Sequence, residues 1–183
     1  MTINASTSAG LVQSADTTGN LNIQSNGTTK LAVTSTGAAV AGTNTNDSAA
    51  AGYVGEYVSS YVSTYTNFPA NGVFGDATSI SLTAGDWDIS YTLLAVRETA
   101  TWSYVASFIG TASGNNTAGI EGGSNGNDFA FASTTTAILS FNQTIASWRT
   151  SLSGTTTYYM KVYAAYSAGQ PQYKCRISAR RVR

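Results

Sequence analysis

The chain has 183 residues with nine Lys and Arg, nine Asp and Glu, and no histidine. Charged residues make up 10% of it, well under the roughly 25% of an average soluble domain, so the polar surface must come from Ser, Thr, Asn, Gln and Gly. Zero net charge gives no general attraction to nucleic acid or an acidic membrane, and the missing histidine removes the commonest general base and the favoured zinc ligand.

Residues 1–48 contain no aromatic side chain and are rich in Thr, Asn, Gly and Ala. The Met1-Thr2-Ile3-Asn4 start has no basic segment and no apolar run, so no signal peptide is expected. Leu21-Asn22-Ile23-Gln24 and Leu31-Ala32-Val33-Thr34 alternate cleanly, and Asn26-Gly27 between them is a strong hairpin signal. Thr36-Gly37 marks a second turn before Ala38-Ala39-Val40. The apolar stripe of Leu21, Ile23, Leu31 and Val33 is too thin to support folding of a single copy. Three copies sharing it around one axis resolve that deficit, so 1–48 is predicted to be a trimerising β stem.

Residues 49–75 are predicted to form a junction. Tyr53, Tyr57, Tyr61 and Tyr65 recur every four residues, a spacing that fits a helical stripe and a strand face alike. Asp47-Ser48 and Ala49-Ala50-Ala51 read as a capped helix start, whereas Val and Tyr favour a strand. The expectation is a helical turn or two over 49–54 passing into a strand.

From Asp76 the pattern is all-β. Strands are expected at Ile80–Leu82, from Trp87 to Val96, at Trp102–Ile109, around Ile138–Ile145, at Tyr158–Tyr166 and at Tyr173–Val182. A long Gly/Asn/Ser loop fills Gly110 to Asp128. Short strands with turn signals at this spacing predict an antiparallel β-sandwich or jelly-roll head over 76–183. Cys175 is the only cysteine, and alternation places it with Tyr173 and Ile177 on a buried face as an inert thiol.

No residue pattern points to catalysis. Asp86 and Asp88 flank Trp87 two apart, the type of pair that glycosidases use, but Asp86 follows Gly85 and is better read as closing a turn. Glu121, Asn125, Asn127 and Asp128 offer oxygen ligands without EF-hand spacing, so a plain surface loop is preferred to a Ca²⁺ site. No cofactor, metal or enzymatic activity is expected. The loop amides and acid, Asn115, Asn116, Asn125, Asn127 and Asp128, suit hydrogen bonds to sugar hydroxyls, with Trp102 as a stacking ring; Tyr104 and Trp148 are further aromatic candidates, and core roles compete for all three. No acid follows Asp128, while seven basic residues do. Arg180, Arg181 and Arg183 are expected to point outward from a terminal strand and to meet acids of a neighbouring subunit or docking surface. No nucleic-acid partner is expected, and no apolar run is long enough to span a bilayer, so membrane insertion is not expected either.

Several segments resemble tailed-bacteriophage fibre and virion structural proteins. Ala9 to Gly19 and Asn26-Gly27-Thr28-Thr29-Lys30 look like the start of such chains. Gly52-Tyr53-Val54-Gly55-Glu56-Tyr57, Ile80 to Ile89 and Tyr173 to Arg183 are similar to segments further along them. The resemblance implies a homotrimer in the virion, anchored by its N-terminal part, with a C-terminal head exposed to the host; the polar loop makes a host cell-surface glycan the expected contact. It also implies a core role for Trp87 and structural roles for the acids beside it. A capsid decoration or baseplate protein, contacting other virion proteins and no receptor, is the alternative.

Overall fold

Alternation of apolar and polar residues organises the whole chain, and in the computed structural model it produces strands and no helix among the described residues. Those are residues 21–34, 37–42, 47–97, 99–114, 120–121, 130–132, 140–144 and 147–183. The chain divides into two compact units, Met1–Asp47 and Ser48–Arg183.

The first unit holds a three-stranded antiparallel sheet of β1 (Leu21–Ser25), β2 (Thr28–Thr34) and β3 (Gly37–Val40). Asn26 and Gly27 both have positive φ, 51° and 71°, the conformation required by the tight hairpin turn. Leu21 pairs with Val33, Ile23 with Leu31, Leu31 with Val40 and Val33 with Ala38. Paired residues share a face, so one side of this sheet is apolar except at its turn end, where Thr29 pairs with Gln24. It is poorly covered within the unit: Ile23 is 52% exposed, Val33 39% and Val40 79%.

The second unit contains two five-stranded antiparallel sheets. One is built from β4 (Tyr57–Asn67), β13 (Gln172–Arg181), β6 (Gly85–Val96) and, along the outer edge of β6, β10 (Ser140–Thr144) and β11 (Trp148–Leu152). The other joins β5 (Gly75–Leu82), β12 (Thr156–Tyr166), β7 (Trp102–Gly110), β8 (Ile120–Glu121) and β9 (Ala130–Ala132), with β8 and β9 both paired to β7. Their inward residues form one cluster: Trp87, Ile89, Tyr91 and Leu93 of β6 and Cys175 and Ile177 of β13 meet Leu82 of β5, Val105 and Ile109 of β7 and Tyr158, Met160 and Val162 of β12. Burying side chains of this size contributes about 1.5–3 kcal/mol each. Tyr91 also donates to the Ser107 carbonyl at 2.9 Å, tying β6 to β7.

The expected strands are present, that around Ile138–Ile145 over Ser140–Thr144, with Ile138, Leu139 and Ile145 outside the described residues. β8, β9 and β11 are additional, being short pieces with little apolar periodicity. The helical turn expected over 49–54 is not formed. Two successive turns replace it, closed by Tyr53 N–H to Ala50 O and Glu56 N–H to Tyr53 O, both 3.0 Å. Gly52 and Gly55 adopt φ of 86° and 92°, which a right-handed helix excludes. Ser48 accepts the Tyr57 N–H at 2.7 Å, so it holds the start of a strand rather than capping a helix. The tyrosine-rich part of the junction segment supplies β4, the edge strand beside β13.

Candidate functional site

The register of β13 sorts its side chains cleanly. Tyr173, Cys175, Ile177 and Ala179 face the core, while Lys174, Arg176, Ser178 and Arg180 lie on the outer face. On one side, Arg180 pairs with Tyr57 and Arg176 with Tyr61 of β4. On the other, Arg180 pairs with Asp88, Ser178 with Ser90, Arg176 with Thr92 and Lys174 with Leu94 of β6. β10 extends this face with Asn142 opposite Leu94 and Thr144 opposite Thr92. A basic strand thus lies between a tyrosine strand and a hydroxyl-bearing one.

Tyrosine rings and cations interact along this face. The Lys174 ammonium sits 4.2 Å from the Tyr65 ring centre, and the Arg176 and Arg180 guanidinium groups each sit 5.5 Å from that of Tyr57, within cation–π range. Arg176 also donates to the Tyr57 hydroxyl. Tyr61 is 61% exposed. Two hollows open here. One, of about 370 Å³, is lined by Tyr61, Thr92, Leu94, Asn142, Thr144 and Lys174 among others. The other, of about 250 Å³, is lined by Tyr57, Asp88, Ser90, Ser178 and Arg180 among others.

The acids that sequence singled out have structural partners. Asp86 bonds the Ser151 hydroxyl and, at 2.8 Å, Arg183. The Ser151 bond, then Arg183 and Arg149, hold its carboxyl below the ordinary carboxylate range against the opposing pull of desolvation. Asp88 pairs with Arg149 at 3.2 Å. The lowered Asp86 is the opposite of the raised carboxyl that a general acid needs, and Asp88 faces the Arg149 cation.

Trp102 is 2% exposed and belongs to the core, which corrects its assignment as a sugar-stacking ring. Large aromatics fill small sandwiches, and the register shift that leaves Ser103 unpaired between Tyr104–Ala165 and Trp102–Tyr166 turns this one to the same side as Val105 and Ile109. Tyr104 is half-buried and packs edge-on to Tyr163, 5.7 Å between centres; Trp148 is half-buried against the core. Asn115, Asn116, Asn125, Asn127 and Asp128 lie outside the described residues. The described residues just before Asn115 are anchored. Asp76 accepts bonds from Ser113 and from Gly114 N–H at 2.8 Å and pairs with Lys161. Lys161, fully buried, donates to Gly114 O at 2.7 Å. Burial pushes the Asp76 carboxyl upward, but Lys161, Ser113 and Gly114 together hold it below its ordinary value.

The arginine tail also divides. Arg181 is not a docking residue: it is 5% exposed and pairs with Glu56 at 2.9 Å. It donates to Ala84 O and Thr83 Oγ1 at 2.7 and 2.6 Å and lies 4.3 Å from the Trp87 ring centre. Alternation along β13 puts position 181 inward, where only a paired charge is tolerated. A Cβ on Gly85 would come within 1.9 Å of this guanidinium, so glycine there makes room for the clamp. Arg183 is exposed and answers Asp86 of its own chain. Arg180 is exposed and has no carboxylate partner among the described residues. Cys175 is buried, and desolvation pushes its thiol up to about 12.

Sequence reasoning did not assemble the Lys174, Arg176, Arg180 and tyrosine face. Alternation in the last strand carried part of the signal. The placement of β4 beside it did not show in either segment alone.

Among the described residues, no group of three His, Cys, Asp or Glu side chains is arranged to hold a metal ion. No family model matches the chain, and no curated protein matches it. A solved chain from the structure of infectious bursal disease virus Gx strain resembles it with a TM-score of 0.40 and 12% identity, over 77% of this chain and 37% of that one.

Proposed function

We propose that this chain is a non-enzymatic structural protein of a virus particle, a short bacteriophage fibre in which three copies join through residues 1–48 and present their heads to the host surface. The observation that carries the reading is the one-sided apolar sheet of the first unit, with Ile23, Val33 and Val40 left in solvent. A contiguous apolar face on a small unit marks an association surface. Shared among three copies, it becomes a core.

The strand order of the head supports a virion role. β8 and β9 occupy successive stretches of β7, and β10 and β11 successive stretches of β6. Counting each couple as one broken strand gives eight strands, ordered β4-β13-β6-β10/β11 in one sheet and β5-β12-β7-β8/β9 in the other. That is the order of an eight-strand jelly roll, an architecture used by viral capsid and lectin domains. The ion pairing of Asp86 and Asp88 supports a role without catalysis.

Sedimentation equilibrium of the full chain tests the assembly. A mass three times that of one chain is expected, and a stable monomer at micromolar concentration would sink the proposal. Gold labelling of whole particles tests the placement. Label at the tail tip is expected for a fibre, while label over the capsid shell would replace it with the decoration reading.

A further inference from the structure

We infer that the outer face of the β4–β13–β6–β10 sheet binds a linear acidic polysaccharide, with sugar carboxylates answering Lys174, Arg176 and Arg180. This deepens the host-contact reading and rests on it for the polymer's source.

Charge complementarity selects the ligand. Lys174, Arg176 and Arg180 sit on one side of a single strand and have no carboxylate partner among the described residues. The carboxylates at the end of this face are already taken, Asp88 by Arg149 and Asp86 by Arg183. Arg180 lies six positions beyond Lys174 along the strand, a cationic row of roughly 20 Å. A row of that length matches a chain of repeated anions better than one small ion, and guanidinium forks suit carboxylates in particular.

The neutral groups beside the row point to sugar. Thr92, Asn142 and Thr144 line the larger hollow together with Lys174 and the exposed ring of Tyr61. Ser90 and Ser178 line the smaller one beside Arg180. Hydroxyls and amides around one aromatic ring can bond sugar hydroxyls and cover an apolar sugar face. Single-stranded nucleic acid would need successive open rings on which to stack. Here Tyr57 has Arg176 and Arg180 against it and Tyr65 has Lys174, which leaves Tyr61 as the open platform.

Titration of the full chain with polygalacturonate, dextran and oligothymidylate tests the site. Polygalacturonate is expected to bind, more weakly as salt screens the row, and neutral dextran is not. Lys174→Gln should weaken binding roughly ten-fold, the loss of one charge-assisted contact. Lys30→Gln removes the same charge from the stem and should change nothing. Tyr61→Ala should weaken binding without altering its salt dependence. Equal binding of dextran, indifference to both Lys174→Gln and Arg180→Gln, or tighter binding of oligothymidylate overturns the inference. Absence of polygalacturonate binding overturns it too, and leaves tail-tip attachment, read by particle labelling, as a separate result.

Discussion

The two units are built from the same alternating strands but differ in where their apolar faces end up. In the head, Leu82, Trp87, Ile89, Met160, Val162 and Ile177 are all 0% exposed, because a second sheet covers the first. In the stem, the apolar side of the sheet has no second sheet over it among the described residues, and Ile23 and Val40 remain more than half exposed. Strand propensity is therefore not what separates the two units. The second layer is. Three short strands whose apolar side stays in water bury too little surface to be more than marginally stable alone.

Cutting the chain at the unit boundary should break the contrast most completely. A fragment of residues 48–183 is expected to unfold cooperatively in urea and to remain monomeric, whereas residues 1–47 alone should lack β structure by circular dichroism at micromolar concentration. A folded, monomeric stem fragment would show that its apolar face needs no partner.

Within the head, two substitutions probe different kinds of burial. Trp87→Ala should cost about 3–5 kcal/mol through the cavity it leaves. Arg181→Ala should cost about 3–5 kcal/mol by stranding Glu56, which is 9% exposed, without its cation. Both are measured from urea midpoints, and neither should alter the association proposed for the stem. A midpoint unmoved by Arg181→Ala would mean that the clamp adds nothing beyond the strand pairing around it.

A smaller effect should appear in acid. Asp76 and Asp86 have folded pKa values below their ordinary value of 3.8. Groups depressed on folding stabilise the native state fully above the unfolded value and lose that contribution as pH falls through the folded one. The head should therefore lose stability below about pH 4, and Asp76→Asn should flatten part of that loss. The described stem strands carry Lys30 and no acidic residue, so the association proposed for them should not weaken over the same range. Head stability that rose on acidification would reverse the sign of this argument.

Much of the architecture was legible in the residues because its signals are local. Asn26-Gly27 specifies its turn within two residues, and the alternation around Cys175 specifies its burial within five. The helix expected over 49–54 failed because Gly52 and Gly55 outweighed the Ala49-Ala50-Ala51 run, and because the ring spacing of four satisfies strand and helix equally. Trp102 and Arg181 were misassigned for a related reason. Both residue types are common on binding surfaces, and only the facing sheet decides which of them stays outside.

What the sequence determined by itself was the all-β class, the hairpin of the stem, the strands that carry the core and the inward face of β13. What only the tertiary structure decided was pairing across distance. Glu56 meets Arg181, Asp76 meets Lys161, and the tyrosines of β4 lie beside the cations of β13. The physical reason is that alternation tells each strand which side faces inward but not which strand lies next to it. That choice is made when two sheets close on one core, and it brings residues more than a hundred positions apart onto the same face.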